Sequence, residues 1–522
     1  MNHQPNDRRP TSVISDAIPG PTKKRLQTFA VIFTSIVFRA SSQSTNFMSR
    51  KKTAWPTLIA WAVVAGVILI FTGTSHAQES TSMSLTDAIS TGVKNYPGLR
   101  AKRNYVNAAE ALTRQARNEY LPNVIAAVQQ DYGTINGQFG PLAAVGALGV
   151  ASAGPAASRQ SWNAAFGALY LINANWEAFT FGRVRSRIQL SEAQATRDSA
   201  DLEQEKFVHS VKIAGAYLNL LIARQLVRNG ESNLARAQAI QNTVRARTLS
   251  GLNPGVDSSL ANAEVSRARL SLIESVNTSQ TVQQQLTELL NISTGEDIIP
   301  DTSFFTRMPA LLNTERDISQ NPQLRYYQAR LDQATRLADV IKKSVMPGVT
   351  LFGVYQARAS GFTNAYSPED PGSYSTRYGD GINPSRYNYV TGVSLTWNVM
   401  SLLKNRQQVH AQRFIADGYR DEYDQLDAKL RNQLILADRR IGNALLSAQE
   451  APVQYKAASD AYLQKSVLYK NGLTTIVDLQ QAMYALNRAE TDRSVASVNV
   501  WQALLLKAAA SGDFDLFINQ AQ

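Results

Sequence analysis

Two carboxylates occupy matched positions far apart in the chain. Asp257 follows Gly251-Leu252 and Asp478 follows Gly472-Leu473, each five residues after its Leu, at a constant offset of 221 residues. Thr475-x-x-Asp478 has the spacing of a helix cap, and Asn253-Pro254 is a good helix opening ahead of Asp257. A carboxylate there satisfies free N–H groups and complements the helix dipole. Catalytic chemistry finds less support. The chain has no Cys, which excludes disulfides, thiolate metal sites and thiol nucleophiles, and no lipid-bearing Cys is expected at the N-terminus. His76 falls in a leader pattern, and His209 and His410 lie on long helical stretches without a ligand-spaced partner. No nucleophile motif is present. The reading is of no enzyme, no catalytic or metal residues and no cofactor.

The same offset relates Trp176 to Trp397, Gly251 to Gly472, Leu252 to Leu473 and Arg267 to Arg488. Upstream, Pro97-Gly98-Leu99-Arg100 and Pro322-Gln323-Leu324-Arg325 open matching helical runs, ended by Pro122 and Pro347. The chain therefore reads as two tandem copies of one unit: helix, strand, loop, strand, long helix, Gly turn, helix. Residues 83–295 form the first copy, 296–308 a linker near the waist, 309–512 the second copy and 513–522 a short tail.

The strands alternate as membrane-barrel strands do, a pattern that a soluble sheet with one buried face would share. From Trp162 to Trp176, Trp162, Ala164, Phe166, Ala168, Tyr170, Ile172, Ala174 and Trp176 share one face, opposite Asn163, Gly167, Asn173 and Asn175, with Leu169 and Leu171 as exceptions. Tyr387, Tyr389, Thr391, Val393, Leu395 and Trp397 repeat the pattern. Asn123–Tyr132 and Gly348–Ala357 supply two more strands, so each chain offers four. Trp162, Trp176, Tyr387, Tyr389 and Trp397 are candidates for an aromatic girdle. Four strands cannot close a membrane barrel, whose smallest examples have about eight, so several chains must contribute.

The helices are unusually long. Residues 182–250 contain no Pro and span roughly 100 Å; 404–471 match them, with a kink expected at Pro452. The return helices and the helices before each first strand are shorter, and stacked end to end they nearly equal one long helix. The reading is of a hollow, helix-walled tube with no single thick core.

Met48-Ser49-Arg50-Lys51-Lys52, the apolar run 57–71 and Ser75-His76-Ala77 fit a secretory signal peptide over 48–77. The alternatives are a membrane anchor, for which the apolar run is short, and a weaker leader at Lys23-Lys24-Arg25. With a start at Met48, residues 1–47 are an upstream over-extension. Residues 1–77 hold nine Lys/Arg and two Asp/Glu, which leaves +5 of the net +12 beyond Ala77, and that mild remainder does not suggest nucleic acid.

With its tandem repeat, Trp-ended strands, and tips Ser250-Gly251-Leu252…Asp257 and Tyr469-Lys470-Asn471-Gly472-Leu473-Thr474-Thr475-Ile476-Val477-Asp478, the chain resembles the TolC-like outer-membrane efflux family. The resemblance implies a membrane α+β fold: a homotrimeric 12-strand outer-membrane β-barrel, four strands per chain, continued by a long periplasmic α-helical barrel. It implies passive, gated export in a tripartite efflux or type I secretion system, with a periplasmic adaptor, an inner-membrane pump reached indirectly, and outer-membrane lipid as partners. It places Asp257 and Asp478 at the narrow periplasmic end, where a ring of carboxylates attracts cations and titrates upward. Gln481 stands where a well-studied relative has a further Asp. Tyr469 matches the family's latch Tyr, but Thr474 replaces its Arg, so the latch is weaker or built differently. Gly251, Leu252, Gly472 and Leu473 are the expected adaptor-docking tips. The alternative is a periplasmic structural coiled-coil protein without channel activity, which would need no lipid-facing bands.

Overall fold

The computed structural model describes residues 80–137, 157–293, 297–310, 318–367 and 369–521. The signal peptide at 48–77, the over-extension at 1–47 and most of the first strand-connecting loop lie outside the described residues. Gln78–Gln522 form one compact unit.

The elements run in the order β1 (Ser80–Met83), α1 (Leu85–Asn95), α2 (Pro97–Asn118), β2 (Asn123–Thr134), β3 (Ala164–Phe179), α3 (Arg183–Leu249), α4 (Gly255–Leu290) and β4 (Asp297–Pro300). Then come α5 (Pro322–Lys343), β5 (Gly348–Ser360), α6 (Tyr378–Ile382), β6 (Arg386–Thr396), α7 (Ser401–Lys470), α8 (Ile476–Ser511) and α9 (Asp515–Ala521). The long helices have 67 and 70 residues and both return helices 36. At ~1.5 Å per residue the long helices span roughly 100 Å each. Pro452 lies inside α7, which runs through it as one helix. Proline lacks the N–H that would bond the Ala448 carbonyl. No described helix is long and apolar enough to cross a membrane.

β2, β3, β5 and β6 form one antiparallel sheet in that order. The strand expected from Trp162 begins at Ala164 and runs past Trp176 to Phe179. Register places Val124, Val128 and Tyr132 on the face shared by Trp176, Tyr170 and Phe166. Tyr355 lies opposite both Ile172 and Tyr389 on that face, and Leu351 opposite Trp176 and Val393. The other face is mixed: Gln129, Asp131, Asn173, Asn175, Gln356, Asn388 and Ser394 share it with Ile125, Leu169, Leu171, Phe352, Val354 and Val390. β2 and β6 are the edges, with no further strand beside them among the described residues.

The helices lie side by side. Near the sheet, α2 packs on α3, α3 on α5 and α5 on α7; towards the Gly turns, α4 packs on α3, α3 on α8 and α8 on α7. The end-to-end stacking has specific joints. The Asn321 side chain, which caps α5, donates to the Ala510 carbonyl at 3.1 Å, in the last turn of α8. At the other joint Asn291, left-handed at the end of α4, donates to the Asn95 carbonyl at 3.3 Å.

The waist is thicker than the sequence suggests. Trp501, Tyr217, Leu218, Leu286, Ile298, Phe304 and Phe517 gather there into a buried core. The stretch 296–308 is therefore no plain linker: β4 pairs in parallel with β1 and Phe304 packs edge-on against Trp501 at 5.0 Å. The C-terminal tail forms α9, with Phe517 fully buried. Large aromatics bury enough area to anchor such a cluster. The Trp501 indole donates to the Phe304 carbonyl at 3.1 Å.

The Tyr217 hydroxyl ties the waist together. It donates to the Met83 carbonyl at 2.8 Å and accepts from the Asp301 N–H at 2.7 Å. Burial pushes its pKa up to about 12. Replacing it with Phe leaves two backbone groups unpaired, and the expected loss is about 1–3 kcal/mol in denaturant unfolding. Because the folded pKa is raised, this contribution is full below about pH 10 and is lost as pH rises through about 12. Thermal melting of the wild type should fall across that window, and Tyr217→Phe should flatten the fall.

Candidate channel wall and periplasmic tips

Each long helix ends in the same local chemistry. Gly251 and Gly472 have φ of +73° and +76°, a left-handed region that costs Gly little. The Gly251 N–H bonds the Thr248 carbonyl at 3.1 Å and the Leu252 N–H the Arg247 carbonyl at 2.9 Å. Gly472 and Leu473 repeat the pattern to Tyr469 and Leu468 at 3.0 and 2.9 Å. These are paired Schellman bonds, which satisfy the last carbonyls of a helix. Leu252 and Leu473 remain 70% and 72% exposed, so both turns present an apolar side chain to water.

Asp478 closes a complete capping box with Thr475. Its carboxylate accepts from the Thr474 hydroxyl at 2.9 Å and the Thr475 hydroxyl at 3.0 Å. These hydrogen bonds hold the carboxyl below its usual range. Within one chain these hydroxyl donors stabilise the anion, an effect opposite in sign to the crowding expected of a carboxylate ring. Thr474, in the position of the family's latch Arg, serves as one of those donors. Gln481 stands exposed on α8.

Asp257 and Tyr469 are brought together across the two tips. Asn253 Nδ2 donates to Asp257 at 2.7 Å and to the Tyr469 hydroxyl at 3.1 Å. Tyr469 is buried, which raises its pKa, with the Asp257 charge adding to the shift. The cation in this cluster is one that sequence reasoning missed. Arg247, in the last turn of α3, donates to Asn253 Oδ1 at 2.9 Å and to the Lys470 carbonyl at 2.9 Å, with its guanidinium 5.7 Å from the Tyr469 ring centroid. A cation among the last carbonyls of α7 is favoured by the helix dipole. It also sits where a Cβ on residue 472 would approach it at 3.2 Å. Its sequence signal was weak, being one Arg among several near a helix end.

Above the tips, α4 and α8 touch through Tyr484, whose hydroxyl hydrogen-bonds Glu264 and accepts from Arg267 at 3.2 Å. Arg236 of α3 forms a forked pair with Glu490 of α8 at 2.9 and 2.7 Å.

At the sheet end, the expected girdle residues divide. The Trp176 indole donates to the Tyr120 carbonyl at 2.8 Å and the Trp397 indole to the Val345 carbonyl at 3.1 Å, each just beyond the helix that precedes the strand pair. Tyr387 and Tyr389 are exposed on the apolar face of β6. Trp162, 82% exposed, lies ahead of β3 rather than on it. Among the described residues, no group of three or more His, Cys, Asp or Glu could hold a metal ion.

A sheet with one apolar face and two open edges, set on helices of this length, is matched by known proteins. The family model described as outer membrane efflux protein matches residues 88–292. Pyoverdine export outer membrane protein OpmQ of Pseudomonas putida is 22% identical over 351 residues, 64% of this chain and 69% of that protein. Over these stretches the chain resembles the TolC-like outer-membrane efflux proteins. It is placed in the outer membrane, extending into the periplasm. Among solved structures, the CmeC outer membrane channel of Campylobacter jejuni aligns with a TM-score of 0.66 at 14% identity, covering 90% of this chain and 94% of that one. The open-state MtrE outer membrane channel of Neisseria gonorrhoeae aligns at 0.64 and 17%, covering 82% and 89%.

Arg247→Ala should free the two tips from each other. The expected outcome is a larger or more often open single-channel conductance in planar bilayers, with Arg247→Lys intermediate because Lys keeps the charge but not the forked geometry.

Proposed function

We propose that this chain is the outer-membrane channel subunit of a tripartite efflux or type I secretion system. Three copies close a 12-strand barrel and continue it as a twelve-helix periplasmic tunnel. Solutes pass through passively, and an inner-membrane pump supplies the energy through a periplasmic adaptor. The observation that carries the reading is the four-stranded sheet, apolar on one face and unpaired at β2 and β6. Backbone groups left open in hydrocarbon cost several kcal/mol each, so copies must pair edge to edge. The family resemblance supplies the number three and the partners.

In this reading the apolar face meets lipid and the polar face lines the pore. Leu252 and Leu473 meet the adaptor, while Asp257, Asp478 and Gln481 face the narrow end. Arg247, Asn253 and Tyr469 tie the tips together in the resting state. The alternative, a periplasmic coiled-coil protein without a channel, leaves Val124, Val128, Tyr389 and Val393 exposed to water on one continuous face. The name of the Pseudomonas putida relative concerns pyoverdine export; at 22% identity it supports export without naming this chain's cargo.

The native mass of detergent-extracted protein, corrected for bound detergent, should equal three chains. A soluble monomer or dimer would sink the channel reading. In bilayers, Asp257→Asn combined with Asp478→Asn should lower the preference for cations over anions in the reversal potential. Unchanged selectivity would leave these carboxylates with helix capping and tip contacts alone.

A further inference from the structure

Four helices line one cavity of about 760 Å³ near the sheet: α2, α3, α5 and α7. These helices lie in a single layer, each packed on the next. Only the side towards which such a layer curves can bring all four to one pocket. On the channel reading, from which its direction alone follows, that concave side is the tunnel wall. The pocket lies beside residues 194–201 of α3, roughly 15–30 Å along the helix from its start below the sheet.

The lining is aromatic and electrically balanced. Tyr105, Tyr326 and Tyr419 contribute rings over a floor of small residues such as Ala109 and Ala334. The Arg330 guanidinium lies 4.4 Å from the Tyr419 ring centroid and 5.8 Å from that of Tyr326. Every charged group on the wall is already matched. Arg330 pairs with Glu422 at 2.9 Å, Arg197 with Asp198 at 2.5 Å, and Asp201 with Lys102 at 2.5 Å. An incoming ion would meet no uncompensated partner, and burying it there would cost desolvation. A flat uncharged ring loses little water and gains stacking on Tyr and Arg faces. The volume falls within the range of about 300–1,000 Å³ usual for small-molecule pockets.

We propose that this cavity is a binding site for planar aromatic solutes of zero net charge, one per chain, at which cargo pauses on the tunnel wall. Arg330 acts as the fixed platform, held by Glu422, and Tyr419 as the stacking face.

The test uses the whole mature protein in lipid nanodiscs and two fluorescent probes of similar size, neutral 7-methoxycoumarin and anionic 7-methoxycoumarin-4-acetate. Binding is measured by equilibrium dialysis against empty nanodiscs. The neutral probe should bind above the lipid background at one site per chain, and more tightly than the anion. Tyr419→Ala should weaken it about three- to tenfold, the worth of one aromatic stack. Leu337→Trp, which fills the pocket, should abolish it. Binding no better than empty nanodiscs, or unaffected by both substitutions, overturns the proposal. Single-channel conductance of the same preparations separates the two readings. Conducting protein that fails to bind sinks the pocket alone, whereas binding by protein that does not conduct keeps the pocket and sinks the channel.

Discussion

In hydrocarbon every backbone N–H and C=O must be paired within protein, and the rest of this molecule follows from that requirement. A single chain satisfies it for β3 and β5, which have neighbours on both sides, and leaves β2 and β6 each with one open edge. The alternation of side chains follows the same logic: bulky apolar groups cover the face that carries Trp176 and Tyr389, and most amides and hydroxyls lie on the opposite face, where they mix with Leu169, Leu171, Phe352 and Val354. The helices carry a different constraint. They satisfy their own backbones, so their sequences are free to use Ala, Ser and Gln for close lateral packing, and bulk gathers at the waist around Trp501 and in a smaller cluster around Tyr469, Leu479 and Met483 towards the Gly turns.

Much of this was legible in the sequence because it rests on long periodic stretches. The helices from Arg183 and Ser401, the strands ending near Trp176 and Trp397, and the Gly turns at Gly251 and Gly472 all announce themselves through spacing, breakers or bulky residues. The role of Tyr217 was not legible, since β1 and β4 are four residues each and give no periodicity. Phe304 and Phe517 were a signal passed over: aromatics in apparent linker and tail segments seldom stay in water. Arg247 was hidden for another reason. Its partners Tyr469 and Lys470 lie 222 and 223 residues away, and only tertiary structure brings a helix-end Arg to the end of another helix.

The tips illustrate how local and collective chemistry compete for one residue. Asp478 is held as an anion by Thr474 and Thr475, whereas crowding by other carboxylates would drive it towards neutrality. The two hydroxyls favour the charged form and so oppose any such crowding. A substitution of either Thr therefore touches both the helix start and the local field.

The joints at Asn291 and Asn321 divide the wall into two kinds of column. α3 and α7 run past the waist as unbroken helices, while the columns beside them are interrupted, each held at its break through a side-chain amide. At the joints no backbone ladder crosses the break and the columns are held by side chains, including Leu290 and Leu505 in the waist core; flexing α3 or α7 there would disturb a helix that runs on through the waist. Compliance is thus built into alternate staves of the wall. On the proposed channel reading, the segments towards the Gly turns can tilt about these joints while the continuous staves keep the sheet end in shape.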